Sequence, residues 1–136
     1  MFALNIMTMS QQENCPCGSS KSYIECCNSI HANPKNANSA EELMRSRYCA
    51  FVKLNIEFIY DTFHPNTRRF QSKKDIENWA KENKWMHLEV LKSTDTTVEF
   101  KAHYLDVNLD VKVHHEQSTF KRTQNCWFYL DGRILS

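Results

Sequence analysis

The chain has 136 residues, 41% hydrophobic and 12% aromatic, enough for one apolar core and too short for two full domains of about 100–150 residues each. Seventeen Lys and Arg against sixteen Asp and Glu leave a formal charge of +1 with no basic run, so dedicated nucleic-acid binding is not expected. With only two glycines, Gly18 and Gly132, the chain cannot build a glycine-rich phosphate loop or a dinucleotide fingerprint, and no stretch nears the ~18–20 apolar residues of a membrane span. Residues 1–14 read as a loose N-terminal segment. They are mildly apolar, lack a basic flank and are interrupted at Asn5 and Thr8, unlike a secretory leader, while Met7 and Met9 leave the translation start open.

Residues 15–31 hold four of the six cysteines: Cys15 and Cys17, then eight residues, then the adjacent pair Cys26 and Cys27. Disulfides fit this spacing poorly. Adjacent cysteines have Cα atoms about 3.8 Å apart, below the ~4.4–6.8 Å of relaxed bridges, and crossed bridges would crowd two bonds into one small loop. A tetrahedral zinc ion needs only four sulfurs converging from two short segments, so Cys15, Cys17, Cys26 and Cys27 are the expected zinc ligands. Four reduced cysteines with no metal are the plainer alternative, although such clustering has no packing motive. Pro16 stiffens the first pair, Gly18 allows a positive φ, and Lys21 with the backbone N–H groups can offset the thiolate charge. A tetrathiolate site beside two unpaired cysteines fits a reducing compartment, so the expected location is cytoplasmic.

The run Cys15-Pro16-Cys17-Gly18-Ser19 through Tyr23 to Cys26-Cys27 resembles the SEC-C motif, a zinc knuckle first recognised at the C-terminus of the SecA translocation ATPase. The resemblance implies a small zinc module that in some proteins contacts a chaperone or the ribosome. Ser20 stands where that motif more often has glycine.

Residues 32–38 are turn formers without periodicity and read as a linker, with His31 just before them read as a linker histidine rather than a ligand. Residues 39–136 form the main body. Ser39-Ala40-Glu41-Glu42 is a capping box opening a helix whose apolar arc holds Ala40, Leu43, Met44, Tyr48, Ala50, Phe51 and Leu54, with Ser46 and Cys49 outside it. Arg47 falls inside the arc and, if buried, needs a carboxylate or carbonyls beside it. A second helix runs from the Asn55 cap to Pro65, closing on His64. A third starts at Ser72, turns Ile76, Trp79 and Ala80 inward and ends near Asn83.

From Trp85 the pattern alternates. Met86, Leu88 and Val90 form one strand face, and Val98, Phe100, Ala102 and Tyr104 another. Lys112 to Arg122 and Cys126 to Leu130 give two further strands, and Asp131-Gly132 a terminal turn. Three helices followed by four antiparallel strands make an α+β fold in which the sheet curls around the helices. The third strand turns Glu116, Ser118 and Phe120 to one face, so a buried Glu116 is expected to meet Arg47, with His64 and Tyr104 as further pocket groups. His114 on that face would make an acid–base couple with Glu116.

The whole chain after residue 14 resembles the bacterial YchJ-like family, in which a SEC-C motif precedes a nuclear-transport-factor-2-like domain. Besides the cysteine run, the likeness is carried by Leu43-Met44-Arg45-Ser46-Arg47-Tyr48, Ala50-Phe51-Val52, His64-Pro65, Val98-Glu99-Phe100, His115-Glu116 with Ser118 and Phe120, and Trp127, Tyr129, Asp131 and Gly132. It implies a cone-shaped α+β domain and a zinc site, without an activity. Cys49 stands where the family more commonly has serine. Two readings follow: a binding or adaptor protein with a structural zinc knuckle and a small apolar ligand, and an isomerase, dehydratase or hydrolase centred on Glu116 and Arg47. A homodimer through the open sheet face is a further expectation.

Overall fold

The computed structural model describes residues 13–136, so the expected loose segment of residues 1–14 lies outside them except for Glu13 and Asn14. Asn14 forms an isolated antiparallel bridge with Ser22, which closes the knuckle's first loop. Helix α1 (Cys27–Ala32) begins on a cysteine of the cluster and is followed by a 3-10 turn (Pro34–Asn36) capped by the Asn33 side chain. The longest helix, α2 (Ala40–Lys53), starts as the capping box predicts, with Ser39 Oγ accepting from the Glu42 N–H at 3.1 Å. Glu42 reaches back one residue further than expected, accepting from the Asn38 N–H at 3.1 Å. Three further helices are α3 (Ile56–Asp61), α4 (Pro65–Arg68) and α5 (Lys73–Glu82).

Five α-helices among the described residues replace the expected three, because α1 and α4 are too short to show a 3.6-residue period. Pro65 does not simply end a helix; it opens α4, where its missing N–H costs nothing, and the His64 ring caps that turn by accepting from the Asn66 N–H. Helix α2 is also buried on more sides than its apolar arc. Ser46 and Cys49, placed outside that arc, are fully buried because the knuckle lies over them, whereas Leu54 is an exposed left-handed cap at φ +59°.

Strands β1 (Lys84–Ser93), β2 (Thr97–Leu105), β3 (Val111–Thr123) and β4 (Cys126–Ile134) form one antiparallel meander in sequence order. A bulge between Trp85 and His87 turns Trp85 inward with Leu88 and Val90 and leaves Met86 exposed, correcting the expected face. Gln124 and Asn125 both take positive φ, the two-residue hairpin turn that matches strand twist. Asp131 and Gly132 are not a terminal turn. They continue β4 opposite Thr119 and Ser118, and Gly132 serves close packing: a Cβ there would collide with the Glu116 carboxylate and the Tyr129 hydroxyl.

The inner sheet face, with Val98, Phe120 and Tyr129, packs on Leu43, Met44, Ala50, Phe58, Ile59 and Phe63 to form the core. The outer face carries polar pairs: His115 on Glu99 at 2.7 Å, His103 on Glu89 at 3.3 Å and Arg133 on Gln117 at 2.9 Å. No helix among the described residues is long and apolar enough to cross a membrane.

Candidate metal centre and cavity

Two short segments bring the four clustered cysteines together. Backbone bonds from Cys15 N–H to Lys21 O and from Gly18 N–H to Cys15 O fold the first into a tight loop with Gly18 at φ +80°. The start of α1 supplies the second. The Sγ atoms of Cys15, Cys17, Cys26 and Cys27 all lie within 4.8 Å of one another, and two of the separations are 3.5 Å (Cys17 to Cys26) and 3.9 Å (Cys26 to Cys27). Four thiolates around a tetrahedral ion with bonds near 2.3 Å stand about 3.8 Å apart, so these residues could hold a metal ion. Ser19 Oγ, 3.1 Å from Cys26 Sγ, and the backbone offset thiolate charge.

A fifth sulfur belongs to the same cluster. Cys49 on α2 is fully buried, with Sγ 3.9 Å from that of Cys15, and is not the isolated thiol expected from sequence. Hydrogen bonding among these sulfurs divides the protons unevenly: Cys17, then Cys27, hold Cys15 down to about 6, while Cys15 pushes Cys27 well up.

The knuckle is clamped to the main body by named contacts. Arg45 Nη1 donates to the Cys17 carbonyl at 2.6 Å, its Nε donates to Glu41 at 3.0 Å, and Glu41 accepts in turn from Ser93 of β1 at 2.7 Å. His31 is an anchor rather than a linker histidine. Its Nε2 meets the Ser46 carbonyl at 2.8 Å, which only an N–H can do, so Nδ1 is the acceptor for the Tyr23 hydroxyl at 2.8 Å. Burial lowers its pKa, which favours the neutral ring in which Nδ1 accepts. The ring also packs edge-on against Phe58, 4.7 Å between centroids.

Between the helices and the curved sheet lies a cavity of about 510 Å³, walled by Phe51, Phe63, Trp79, Trp85, Phe100 and Tyr129. Trp79 and Trp85 meet edge to face at 5.7 Å. Glu116 lines the cavity and is 7% exposed. One carboxylate oxygen accepts from Ser118 Oγ at 2.5 Å and Tyr129 Oη at 2.7 Å, and the other from His114 Nε2 at 2.7 Å. Burial pushes Glu116 up, but the bonds from His114, Ser118 and Tyr129 outweigh it and hold the carboxyl below its ordinary range. The carboxylate is thereby held by three donors, two on one oxygen and one on the other. Donation from Nε2 leaves His114 Nδ1 without a hydrogen-bond partner among the described residues.

Arg47, Glu116 and Ser118 line the cavity, yet Arg47 and Glu116 do not form the expected ion pair. Arg47 Nη1 donates instead to the Ile59 carbonyl at 2.8 Å and to Thr62 Oγ1 at 2.5 Å, and its guanidinium carbon lies 4.5 Å from the centroids of Phe63 and Tyr129. The last turn of α3 and its C-cap Thr62 bond the guanidinium instead, and Tyr129 donates to Glu116. His64 and Tyr104 fall outside the cavity lining. His64 bonds Thr123 Oγ1 at 3.1 Å while capping α4, and Tyr104 packs its ring on Trp85 at 5.1 Å. Tyr129 was missed as a site residue, although its place opposite Phe120 follows once the β4 register is known.

These features define a class: a cysteine knuckle clamped to a cone-shaped α+β domain with an aromatic cavity. The sequence model of the family described as "YchJ, middle NTF2-like domain" matches residues 39–132, and the chain belongs to this YchJ-like family. A UPF0225 protein of Geobacter sulfurreducens is 38% identical over 87% of this chain and 77% of its own length. One from Streptomyces coelicolor is 39% identical over 89% and 95% respectively. The solution structure of a SEC-C motif containing protein from Rhodopseudomonas palustris superposes with a TM-score of 0.83 at 32% identity, covering 90% of this chain and 99% of that one. The crystal structure of another, from Psychrobacter arcticus, gives 0.74 at 33% identity, covering 94% and 86%.

Proposed function

We propose that the chain is a zinc-fastened binding protein: Cys15, Cys17, Cys26 and Cys27 hold a structural zinc ion in the bacterial cytoplasm, and the cone cavity holds a small, largely apolar molecule. An all-thiolate set occupies every tetrahedral position and leaves no place for a reactive water, which supports a structural role for the ion. The observation that carries the ligand reading is the cavity of about 510 Å³, within the ~300–1,000 Å³ common for small-molecule sites, whose walls are largely aromatic with Arg47, His114, Glu116 and Ser118 among the polar lining groups. The experiment is titration of the zinc-loaded protein with aromatic and aliphatic probes, read by Trp79 and Trp85 fluorescence and by the shift in thermal midpoint. Saturable quenching with a raised midpoint supports the reading, and no response across the series rejects it.

A second reading, an isomerase, dehydratase or hydrolase, is favoured by the His114–Glu116 couple. A buried carboxylate that fixes one nitrogen of a cavity-lining imidazole and leaves the other without a hydrogen-bond partner among the described residues is the arrangement of a general base with its orienting partner. His114→Gln should then keep probe binding while abolishing conversion of a bound ligand followed by mass spectrometry. The adaptor reading, toward a chaperone or ribosome, rests on the outer side of the knuckle, where Ile24 is half exposed. Equal partner recovery from wild type and Ile24→Asp would count against it.

A further inference from the structure

We propose that the cavity's occupant is a planar aromatic carboxylate, its carboxylate seated against Arg47 and its ring stacked among Trp79, Trp85 and Phe100. The proposal rests on the ligand-site reading above and adds the charge and shape of the ligand. Arg47 is 7% exposed and lines the cavity, yet it has no carboxylate partner among the described residues. Only Nη1 is engaged, by the neutral Ile59 carbonyl and Thr62 hydroxyl, and neither Nε nor Nη2 is among the sealed, unpartnered donors. A buried guanidinium is a cation at neutral pH; the Glu116 carboxylate acts on it through space without bonding it, which leaves its unbonded N–H groups for an anion that can reach them.

Glu116, the buried carboxylate of the same cavity, is already committed. Its oxygens accept from Ser118, Tyr129 and His114, and pulling the carboxylate toward Arg47 would strand the Ser118 hydroxyl, which is almost fully buried. The fold therefore balances the carboxylate with fixed donors and leaves the guanidinium with neutral oxygens and two aromatic rings. Trp85 offers the cavity its ring alone, since its indole N–H is sealed away from the space and has no hydrogen-bond partner among the described residues. An arginine edge binds a carboxylate with two parallel bonds, and the indole and phenyl walls suit a flat ring rather than an alkyl chain.

Three isosteric probes test this on the full-length, zinc-loaded protein: 2-naphthoate, 2-naphthamide and 2-naphthylmethylamine, titrated against tryptophan fluorescence and by calorimetry. The expected result is 2-naphthoate binding about ten- to hundredfold tighter than the amide, the worth of a charge-assisted hydrogen bond, with the amine weakest. In Arg47→Met that preference should vanish while residual apolar binding persists. Equal binding of the three probes, a preference for the amine, or a carboxylate preference that survives in Arg47→Met would overturn the assignment and leave a cavity that binds by shape alone. If none of the three binds, both this proposal and the ligand-site reading fail. Should Arg47→Met not fold, the wild-type series alone decides.

Discussion

The knuckle and the cavity satisfy their polar groups in opposite ways. In the knuckle, the sulfurs of Cys15, Cys17, Cys26 and Cys27 lie within 4.8 Å of one another and that of Cys49 packs against Cys15, so sulfur sits where a core side chain would otherwise be. In the cavity, the polar groups line a space that protein atoms do not fill, with Glu116 accepting three hydrogen bonds and Arg47 making no ion-pair contact among the described residues. The first arrangement is what a fastening requires, since every donor points inward at a shared centre. The second is what a receptor requires, since part of the hydrogen-bonding capacity faces the space. Helix α2 serves both: Arg45, Ser46 and Cys49 face the knuckle, whereas Met44, Arg47, Tyr48 and Phe51 face the cavity.

The largest effect should come from the fastening. Cys17→Ser removes a fully buried sulfur from the cluster and is expected to abolish stoichiometric zinc, measured by elemental analysis, with a loss of several kcal/mol in urea unfolding. An unchanged zinc content would break the contrast by showing that Cys49 or another group suffices. Glu116→Ala comes next, at about 3–5 kcal/mol, because it leaves Ser118, Tyr129 and His114 without their common acceptor. Gly132→Ala should cost about 1–3 kcal/mol through the collision of its Cβ with Glu116 and Tyr129, and should disturb the cavity without changing zinc content. A zinc loss in that variant would show the two regions to be one cooperative device.

Much of the knuckle could be read from the sequence because its chemistry is local. Spacing alone brings four ligands within reach of each other, and the turn residues between them say how. The Ser39, Asn55 and Ser72 caps were legible for the same reason: each is a side chain bonding the backbone three residues on. The charged groups of the cavity were legible singly and not in their pairing. Arg47 was marked by its place on an apolar arc and Glu116 by strand alternation, but which of them Tyr129 joins depends on the β3–β4 register and its bulge near Phe120, and the sequence carries no local sign of either. Cys49 was missed because helical periodicity describes one buried face, and α2 has a second wherever the knuckle covers it. His31 was read as linker for the same reason, its partner Ser46 lying fifteen residues away.

The acid side of the stability profile separates the regions further. Three hydrogen bonds hold the Glu116 carboxyl below its ordinary value, so its contribution is fully present above about pH 4.5 and is lost as pH falls through the lower folded-state value. Urea midpoints measured from about pH 6 down to pH 3 should fall more steeply in wild type than in Glu116→Gln, where this group no longer titrates. Parallel profiles would place the acid sensitivity in the cysteine cluster instead, whose thiolates release metal when protonated.

The smallest effect is also the one that tests the knuckle without touching a sulfur. Ser20 sits at φ +72°, two residues after Gly18 at φ +80°, so the loop holds two left-handed positions, of which only the glycine is tolerated freely. Holding a side-chain-bearing residue there costs about 1 kcal/mol, whereas glycine at the same place loses some of that gain to its greater freedom in the unfolded chain. Ser20→Gly should therefore stabilise the protein by roughly 0.5 kcal/mol. Ser20 lies in the knuckle loop, with the Lys21 N–H on Ser19 Oγ and the Cys15 N–H on the Lys21 carbonyl on either side, so relief should appear as tighter zinc retention against a chelator and leave probe binding in the cavity unchanged. If zinc retention stays the same while the unfolding midpoint rises, the strain is carried by the whole fold rather than by the loop, and the knuckle is less separate from the cone than its sulfur-centred packing implies.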